Sequence, residues 1–433
     1  MRILHTSDWH LGQFFINKSR LQEHKKFIEW LLHQVVEHEV DAVIIAGDIF
    51  DTGSPPSYAR ELYNQFVIGM NRIGRQLIIL AGNHDSVSTL NESKDILAQL
   101  NTQVISAAAD DLSTQVLQLK NKEGNIGAIV CAIPYLRPRD IMQSQAGESG
   151  QQKQRALGQA ISQHYKDVFQ LAQKQRDELD QSIPIIATGH LTAMGVTTSE
   201  SVRDIYIGNL EAFPAKGFPA ADYIALGHIH RPQRVAKTEH IRYCGSPIPL
   251  SFDELGADPT KTVKQVLLVD FGGIPGCGKV NDKLQSVEPL MIPMFQPMQV
   301  IKGDLESIEQ QLAELTIAQN ADIEHNDESL PIWLSIEVDT QDYLNDLQQR
   351  IQALTADMNV EILQLRRARK QQQQRIERED KELLNELTPA DVFERRLASE
   401  VFETDEEKQR LIRLKTAFTG IVHELEAELD NED

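Results

Sequence analysis

Five apolar runs, each ending in a short polar motif, set the hydrophobic pattern of the chain. They are Ile3-Leu4, Ala42-Val43-Ile44-Ile45-Ala46, Leu77-Ile78-Ile79-Leu80-Ala81, Ile185-Ile186-Ala187 and Tyr223-Ile224-Ala225-Leu226. Uninterrupted apolar runs bounded in this way are what strands buried on both faces look like. Between them the period changes. Arg20–Glu39 carries Leu21, Phe27, Leu31, Leu32, Val35 and Val36 at helical spacing, and Tyr58–Arg72 reads as a second helix. The polar, Gln-rich stretch Gln143–Gln181 reads as a loop followed by a long surface helix. Strands alternating with amphipathic helices predict an α/β domain over residues 1–275.

Beyond Phe271 the pattern shifts. Gly272-Gly273-Ile274-Pro275-Gly276 predicts a turn, and Pro289, Pro293 and Pro297 mark a Pro- and Met-rich bridge. A compact β-α-β-α-β pattern then fills residues 290–368. Met298–Lys302, Pro331–Val338 and Val360–Leu365 read as strands, and Leu305–Leu315 and Gln341–Leu354 as helices. Residues 369–433 are charged and helical. Thr388-Pro389 opens one helix with Val392, Phe393, Leu397, Val401 and Phe402 as its stripe; Asp405–Leu429 carries Leu411, Leu414, Phe418, Ile421, Val422 and Leu425. Such helices either dock on another helical surface or fold back on the preceding small domain.

Composition bounds the class. The chain of 433 residues is long enough for two or three domains, and a hydrophobic content of 41% is ample for a large core. No apolar stretch reaches membrane-spanning length, and the N-terminus runs into a strand instead of a signal peptide, so a cytoplasmic protein is expected. Cys131, Cys244 and Cys277 are few and far apart, which fits a reducing compartment and packing roles.

The chemistry lies in the motifs that end the five runs: Asp8-Trp9-His10, Gly47-Asp48, Gly82-Asn83-His84-Asp85, Gly189-His190 and Gly227-His228-Ile229-His230. In open α/β sheets, ligands gather beyond the carboxyl ends of the strands, so five tips can converge on one point. The set holds carboxylates, imidazoles and one carboxamide but no thiolate. That suits two divalent ions such as manganese better than a structural zinc. Alone, a Gly-His or Gly-Asp pair is only a loop or a cap; five in order carry weight.

The order D-x-H, G-D, G-N-H-D/E, G-H and G-H-x-H resembles the calcineurin-like metallophosphoesterases, and the match is complete over roughly the first half of the chain. The runs His5–Gly12, Gly47–Pro56 and Gly245-Ser246-Pro247 further resemble the nuclease subunits of bacterial SbcCD complexes, the SbcD type. The resemblance implies a metallophosphoesterase β-sandwich flanked by helices, a small α+β capping domain beside the substrate cleft, and C-terminal helices that dock on the partner. It also implies two manganese ions, with magnesium as a substitute. One would be held by Asp8, His10 and His230, the other by Asn83, His190 and His228, with Asp48 bridging. In such sites the ion pair activates a water and stabilises the phosphate oxygens during in-line displacement. His84 would face the scissile phosphate and stabilise the transition state or protonate the leaving oxygen, with Asp85 orienting its ring. The implied partner is an SbcC-type ABC ATPase, two copies of each subunit forming a heterotetramer. The implied activity is DNA repair and recombination chemistry: an ATP-dependent exonuclease on double strands, working from 3′ ends, and an endonuclease on single strands and hairpins.

The net charge of −21 bears on that implication. A protein that grips nucleic acid alone shows a basic face. Either a partner carries most of the DNA-holding surface, or basic residues cluster only in three dimensions. The basic run Arg366–Lys370 reads as a solvated helix end or as a contact with DNA or partner. Gly273-Ile274-Pro275-Gly276-Cys277-Gly278-Lys279 matches most of a phosphate-binding loop, but Val280 lacks the hydroxyl that magnesium needs and no good helix start follows. A hairpin turn explains it better, and ATP belongs to the partner.

Other candidates read as structural. Trp9 and Cys244 pack, and His5 is a core histidine. His24, His33, His38, His164, His240, His325 and His423 fall on helix surfaces or loops, where solvation explains them. Asp51 either backs the site or faces substrate, or else stabilises the turn at Thr52-Gly53. Two competing functions remain open: a stand-alone phosphatase or cyclic-nucleotide phosphodiesterase of the same fold, and a scaffold with a decayed site. The complete ligand set argues against the second.

Overall fold

The apolar runs form neighbouring strands in two six-stranded sheets stacked face to face. The computed structural model describes residues 1–142, 149–179, 183–202, 212–256, 263–272, 284–323, 330–339, 344–367 and Phe418. The chain divides into two units, Met1–Ala368 and Arg369–Asp433. The helices expected at 388–402 and 405–429 lie outside the described residues, Phe418 apart.

In the first sheet the order is Leu284–Met291, Gln265–Phe271, Arg2–Thr6, Ala42–Ala46, Gln76–Leu80, Thr102–Ile105. The last four run parallel, and Gln265–Phe271 is antiparallel to both of its neighbours. The second sheet is ordered Gln233–Arg234, Ile241–Tyr243, Tyr223–Gly227, Ile185–His190, Ile126–Cys131, Val116–Lys120. Alternation along each strand divides the side chains between two cores. Ile3, Ala42, Ile44 and Ala46 face Ala128, Val130, Ile186 and Ala225 of the other sheet. Val43, Ile45 and Ile79 turn outward against helices Leu21–Glu37 and Ser57–Ile73. Helix Gly150–Glu178 covers the far face of the second sheet with Leu157, Ile161, Tyr165, Val168 and Ala172, so the expected surface helix has a fully buried stripe. This is the helix-flanked sandwich that the resemblance implied. All strands carrying the motifs are in parallel register with a motif-bearing neighbour in their sheet, so their carboxyl ends open at the same rim.

The second domain pattern is also present. Met298–Gly303, Ile332–Val338 and Val360–Arg367 form a parallel three-stranded sheet, with helices Leu305–Ile323 and Leu344–Leu354. Its core is Ile301, Ile308, Leu312, Leu334, Ile336, Val338, Leu347 and Ile351. On the opposite face Trp333 stacks on Phe15 with ring centroids 5.7 Å apart, and Phe252 meets Phe15 edge-on at 5.0 Å. The buried Arg20 guanidinium lies over both Phe15 and Trp333.

Several sequence expectations need correction. The supposed bridge contains the strand Leu284–Met291, which pairs antiparallel with Gln265–Phe271 as the edge of the first sheet. Pro289 is tolerated there because an edge strand has a side on which no N–H is needed. The run 273–279, expected to be a hairpin turn, lies outside the described residues. Arg366 and Arg367 are the end of strand Val360–Arg367, not a helix end, in register with Glu337 and Val338. Arg366 lies 3.4 Å from Glu337 and 3.7 Å from Glu200. His24 and His164 are buried, not solvated. Helical spacing alone cannot tell a polar residue on the packed stripe from one beside it.

Candidate metal centre

Strained backbone marks the site before any side chain is considered. Asp8, His10, Asp48 and His228 all adopt positive φ (55°, 45°, 51° and 93°), a conformation that costs roughly 1–3 kcal/mol for residues with a Cβ. Hydrogen bonds between the strand tips hold them there: Asp8 N–H to the Gly47 carbonyl and His10 N–H to that of Asp48, both at 3.0 Å. Gly47 (φ 93°) must be glycine, because a Cβ would fall 2.2 Å from His190 Nδ1.

Two donor clusters result. Asp8, His10 and His230 bring one donor atom each within 4.8 Å of one another, and Asp48, His190 and His228 do the same. Asp48 lies between the clusters, with Oδ2 3.5 Å from His10 Nε2 and 3.2 Å from His190 Nε2. A third grouping joins His10, Asp48 and His84. The Asn83 carboxamide oxygen is 3.0 Å from both His190 Nε2 and His228 Nδ1. All seven expected ligand residues therefore meet at one rim.

The ring orientations follow from what stands behind them. His190 donates Nδ1–H to the Ala46 carbonyl at 2.9 Å, which turns Nε2 toward Asp48. His10 Nδ1 is 3.1 Å from Asp51 Oδ1, which turns its Nε2 toward Asp48. Asp51 thus backs a histidine of the site. Asp8 accepts from His228 N–H (2.8 Å) and from the Ser7 hydroxyl.

Electrostatics favour a cation here. Burial opposes charge on His190, but Asp48 and, more weakly, Asp8 raise its pKa to about 9. Burial likewise works against His10, yet Asp51, Asp48 and Asp8 push its pKa up. Burial would raise Asp48, but His190, His10 and His84 hold it well below the usual carboxylate range. Buried carboxylates that collect protons on neighbouring imidazoles are poised to exchange them for metal ions. His10 Nε2 and His228 Nε2 are buried without a hydrogen-bond partner, which is costly unless another group satisfies them. Oxygen and imidazole donors without a thiolate fit hard-to-borderline divalent ions.

His84 is half-buried beside His10, ring centroids 4.7 Å apart, with its backbone N–H donating to Asp48 Oδ1 at 2.9 Å. Its Nδ1 donates to the Asp51 carbonyl at 2.7 Å. The expectation that Asp85 orients the His84 ring is not met. Asp85 turns inward and accepts from the backbone N–H groups of Ile49, Phe50 and Gly82 at 3.1, 3.0 and 2.8 Å. It clamps the loops after two strands, and those donors are already oriented when the loops are folded. Burial and Asp48 raise its pKa to about 6.

Sequence reasoning missed Glu254 and Lys264. Glu254 is buried behind His230, with Oε1 3.3 Å from its Nδ1, and Lys264 Nζ donates to Glu254 Oε2 at 2.5 Å. Burial would raise the Glu254 carboxyl, but Lys264 and His230 hold it well below its usual range. Neither residue sits in a recognisable motif, and no single-sequence signal marks them. Trp9 is packed edge-on between Phe27 and Phe66, and His5 is buried against the Tyr223 hydroxyl, as expected.

The chain also matches known proteins. Residues 1–232 match the family described as calcineurin-like phosphoesterase, and residues 294–401 match the type 5 capsule protein repressor C-terminal domain. The chain is 52% identical to the D subunit of the SbcCD nuclease of Escherichia coli (strain K12) over 428 residues, 99% of each chain. It is 31% identical to the Rhodobacter capsulatus protein of the same name, covering 70% of this chain and 71% of that one. For the Bacillus subtilis protein the identity is 29%, over 61% and 66%.

Proposed function

Because the chain belongs to the calcineurin-like phosphoesterases, and within them to the SbcD-type nucleases, we propose that its rim of donors cleaves DNA phosphodiesters with two divalent ions. It is a metal-dependent nuclease and the nuclease component of an SbcCD-type complex. The observation that carries the reading is Asp48, whose one carboxylate reaches both donor clusters. Asp8, His10 and His230 would hold one ion, Asn83, His190 and His228 the other, and Asp48 both. Manganese is the preferred ion, since imidazole and carboxylate donors suit it and no thiolate competes for zinc. When bound, such a pair supplies a water acidified toward neutral pH and positive charge for the phosphate oxygens.

The protein's own groups do the rest. Asn83 contributes an oxygen donor that never takes up a proton. Asp51 fixes the His10 ring through its carboxylate and the His84 ring through its carbonyl. With Nδ1 donating to that carbonyl, His84 presents Nε2 to the substrate, and in its protonated form Nε2–H is the proton for the leaving oxygen. Asp85 serves this step by holding the Gly82 and Ile49 backbone in place, so its role is positioning.

Residues 1–275 act as the nuclease domain, 290–368 as a cap at the substrate cleft, and 369–433 as the docking segment for an SbcC-type ABC ATPase. That partner hydrolyses ATP and carries most of the DNA-holding surface, in keeping with this chain's net charge of −21. A heterotetramer with two copies of each subunit and a cytoplasmic location complete the proposal; no described helix is long and apolar enough to cross a membrane. The test is cleavage of hairpin and duplex DNA with manganese, with and without the ATPase subunit, beside a His84→Gln variant. Cleavage lost in the variant and answering to ATP only with the partner supports the reading. Turnover of a simple phosphomonoester with no DNA cleavage in any mixture contradicts it.

A further inference from the structure

His230 is gripped at both ends by one buried ion pair. Lys264 Nζ donates to the His230 carbonyl at 2.9 Å, to Ser246 Oγ at 2.7 Å and to Glu254 Oε2. The same Glu254 carboxylate presents Oε1 to His230 Nδ1, and the Ser201 hydroxyl lies 2.6 Å from that nitrogen while donating to Oε1. Ser199 donates to Oε1 as well, at 2.9 Å. Side-chain relative exposure is 0% for Glu254 and 3% for both Lys264 and His230, so the ion pair and the ring it holds are shielded from solvent. Gly245 (φ 83°) closes the cradle, since a Cβ there would meet the His230 carbonyl oxygen at 2.7 Å. Elements from 199–201, 245–254 and 264, far apart in sequence, converge on one histidine.

A buried ion pair of this kind seldom adds net stability. Its value here is orientation: with Nδ1 facing Glu254 and Ser201, the ring has one way to present Nε2 to Asp8 and His10. The geometry points to Glu254, held by Lys264 and assisted by Ser201, as the positioning residue that fixes the tautomer and orientation of His230 and so sets the affinity of one metal position and not the other. An imidazole whose second nitrogen donates to a carboxylate is a stronger and better-aimed ligand, and removing such a partner weakens metal binding about 10–100-fold. This inference rests on the two-ion reading above.

The test is titration of the metal-free full chain with manganese, reading free Mn2+ by electron paramagnetic resonance, with thermal unfolding of the metal-free proteins alongside. Glu254→Gln is expected to keep one equivalent at wild-type affinity, weaken the other about 10–100-fold and lose the exchange-coupled two-manganese signal. Ser201→Ala, which leaves the Glu254–Lys264 pair intact, is expected to weaken the same equivalent by less. It carries the test alone if Glu254→Gln fails to fold. Two wild-type equivalents in the folded variants, or equal weakening of both, overturns the inference. Fewer than two equivalents in the wild type instead overturns the two-ion reading.

Discussion

The backbone carbonyl of Asp51 accepts the Nδ1–H of His84 at 2.7 Å, while the Asp51 carboxylate stands 3.1 Å from His10 Nδ1. One loop residue therefore aims two histidines with different tasks, a proposed metal ligand and a proposed proton donor. Since the His84 ring is fixed through a main-chain atom, its orientation survives protonation and deprotonation. Chemistry at Nε2 is thereby separated from assembly of the metal centre.

Replacing His84 by Gln tests that separation. DNA cleavage is expected to fall about 10²–10⁴-fold, the usual contribution of a general acid or base. Manganese stoichiometry, measured by calorimetric titration, stays at the wild-type value. A parallel loss of metal would make His84 a ligand instead.

Asp48→Asn should act on both metal positions, because its carboxylate reaches both clusters. Neither manganese equivalent is expected to bind at wild-type affinity. In the wild type, manganese must displace the proton that His190 holds up to about pH 9. Apparent affinity should rise with pH up to that value and flatten in Asp48→Asn, whose His190 lacks its main charge partner. Competition with a metal-sensitive dye across pH reads both effects.

Stability of the metal-free chain should fall on mild acidification because of His5. Burial lowers its pKa from 6.5 to about 3, with a smaller push from Arg242 and an opposing hydrogen bond at Leu226. The unfolded chain takes up a proton below pH 6.5 and the folded one resists it. The contribution is thus complete above pH 6.5 and is lost as the pH falls toward 3. The slope is about 1.4 kcal/mol per pH unit, or roughly 2 kcal/mol by pH 5. Denaturant melts at several pH values should show a shallower slope for His5→Gln, and an unchanged slope would refute the assignment.

Trp333→Ala probes the attachment of the small domain. The indole is buried against Phe15, Phe252 and Arg20, and its removal is expected to cost about 3–5 kcal/mol. Because the contact joins the small three-stranded sheet to the nuclease region, limited proteolysis should cut earlier near 292–297. Equal resistance of variant and wild type would show that the aromatic contact is not what holds the two together.

The legible parts of this protein are local ones. A strand buried on both faces needs a continuous apolar run, so Ala42–Ala46 and Tyr223–Gly227 announce themselves, and the polar tips after them carry the donors. Periodicity also locates the β-α-β-α-β pattern of 298–367. Leu284–Met291 is hidden because an edge strand can hold proline and exposed polar residues. The role of Asp85 is hidden because its partners are backbone N–H groups of Ile49 and Phe50, more than thirty positions away. Glu254 and Lys264 are invisible for the same reason: the histidine they serve joins them only after folding.

The most direct measurement is anomalous diffraction at the manganese absorption edge from crystals of the metal-loaded chain. The expected result is two peaks sharing Asp48, one contacted by Asp8, His10 and His230, the other by Asn83, His190 and His228. A single peak, or two peaks with Asp48 bound to only one of them, would contradict the two-ion site.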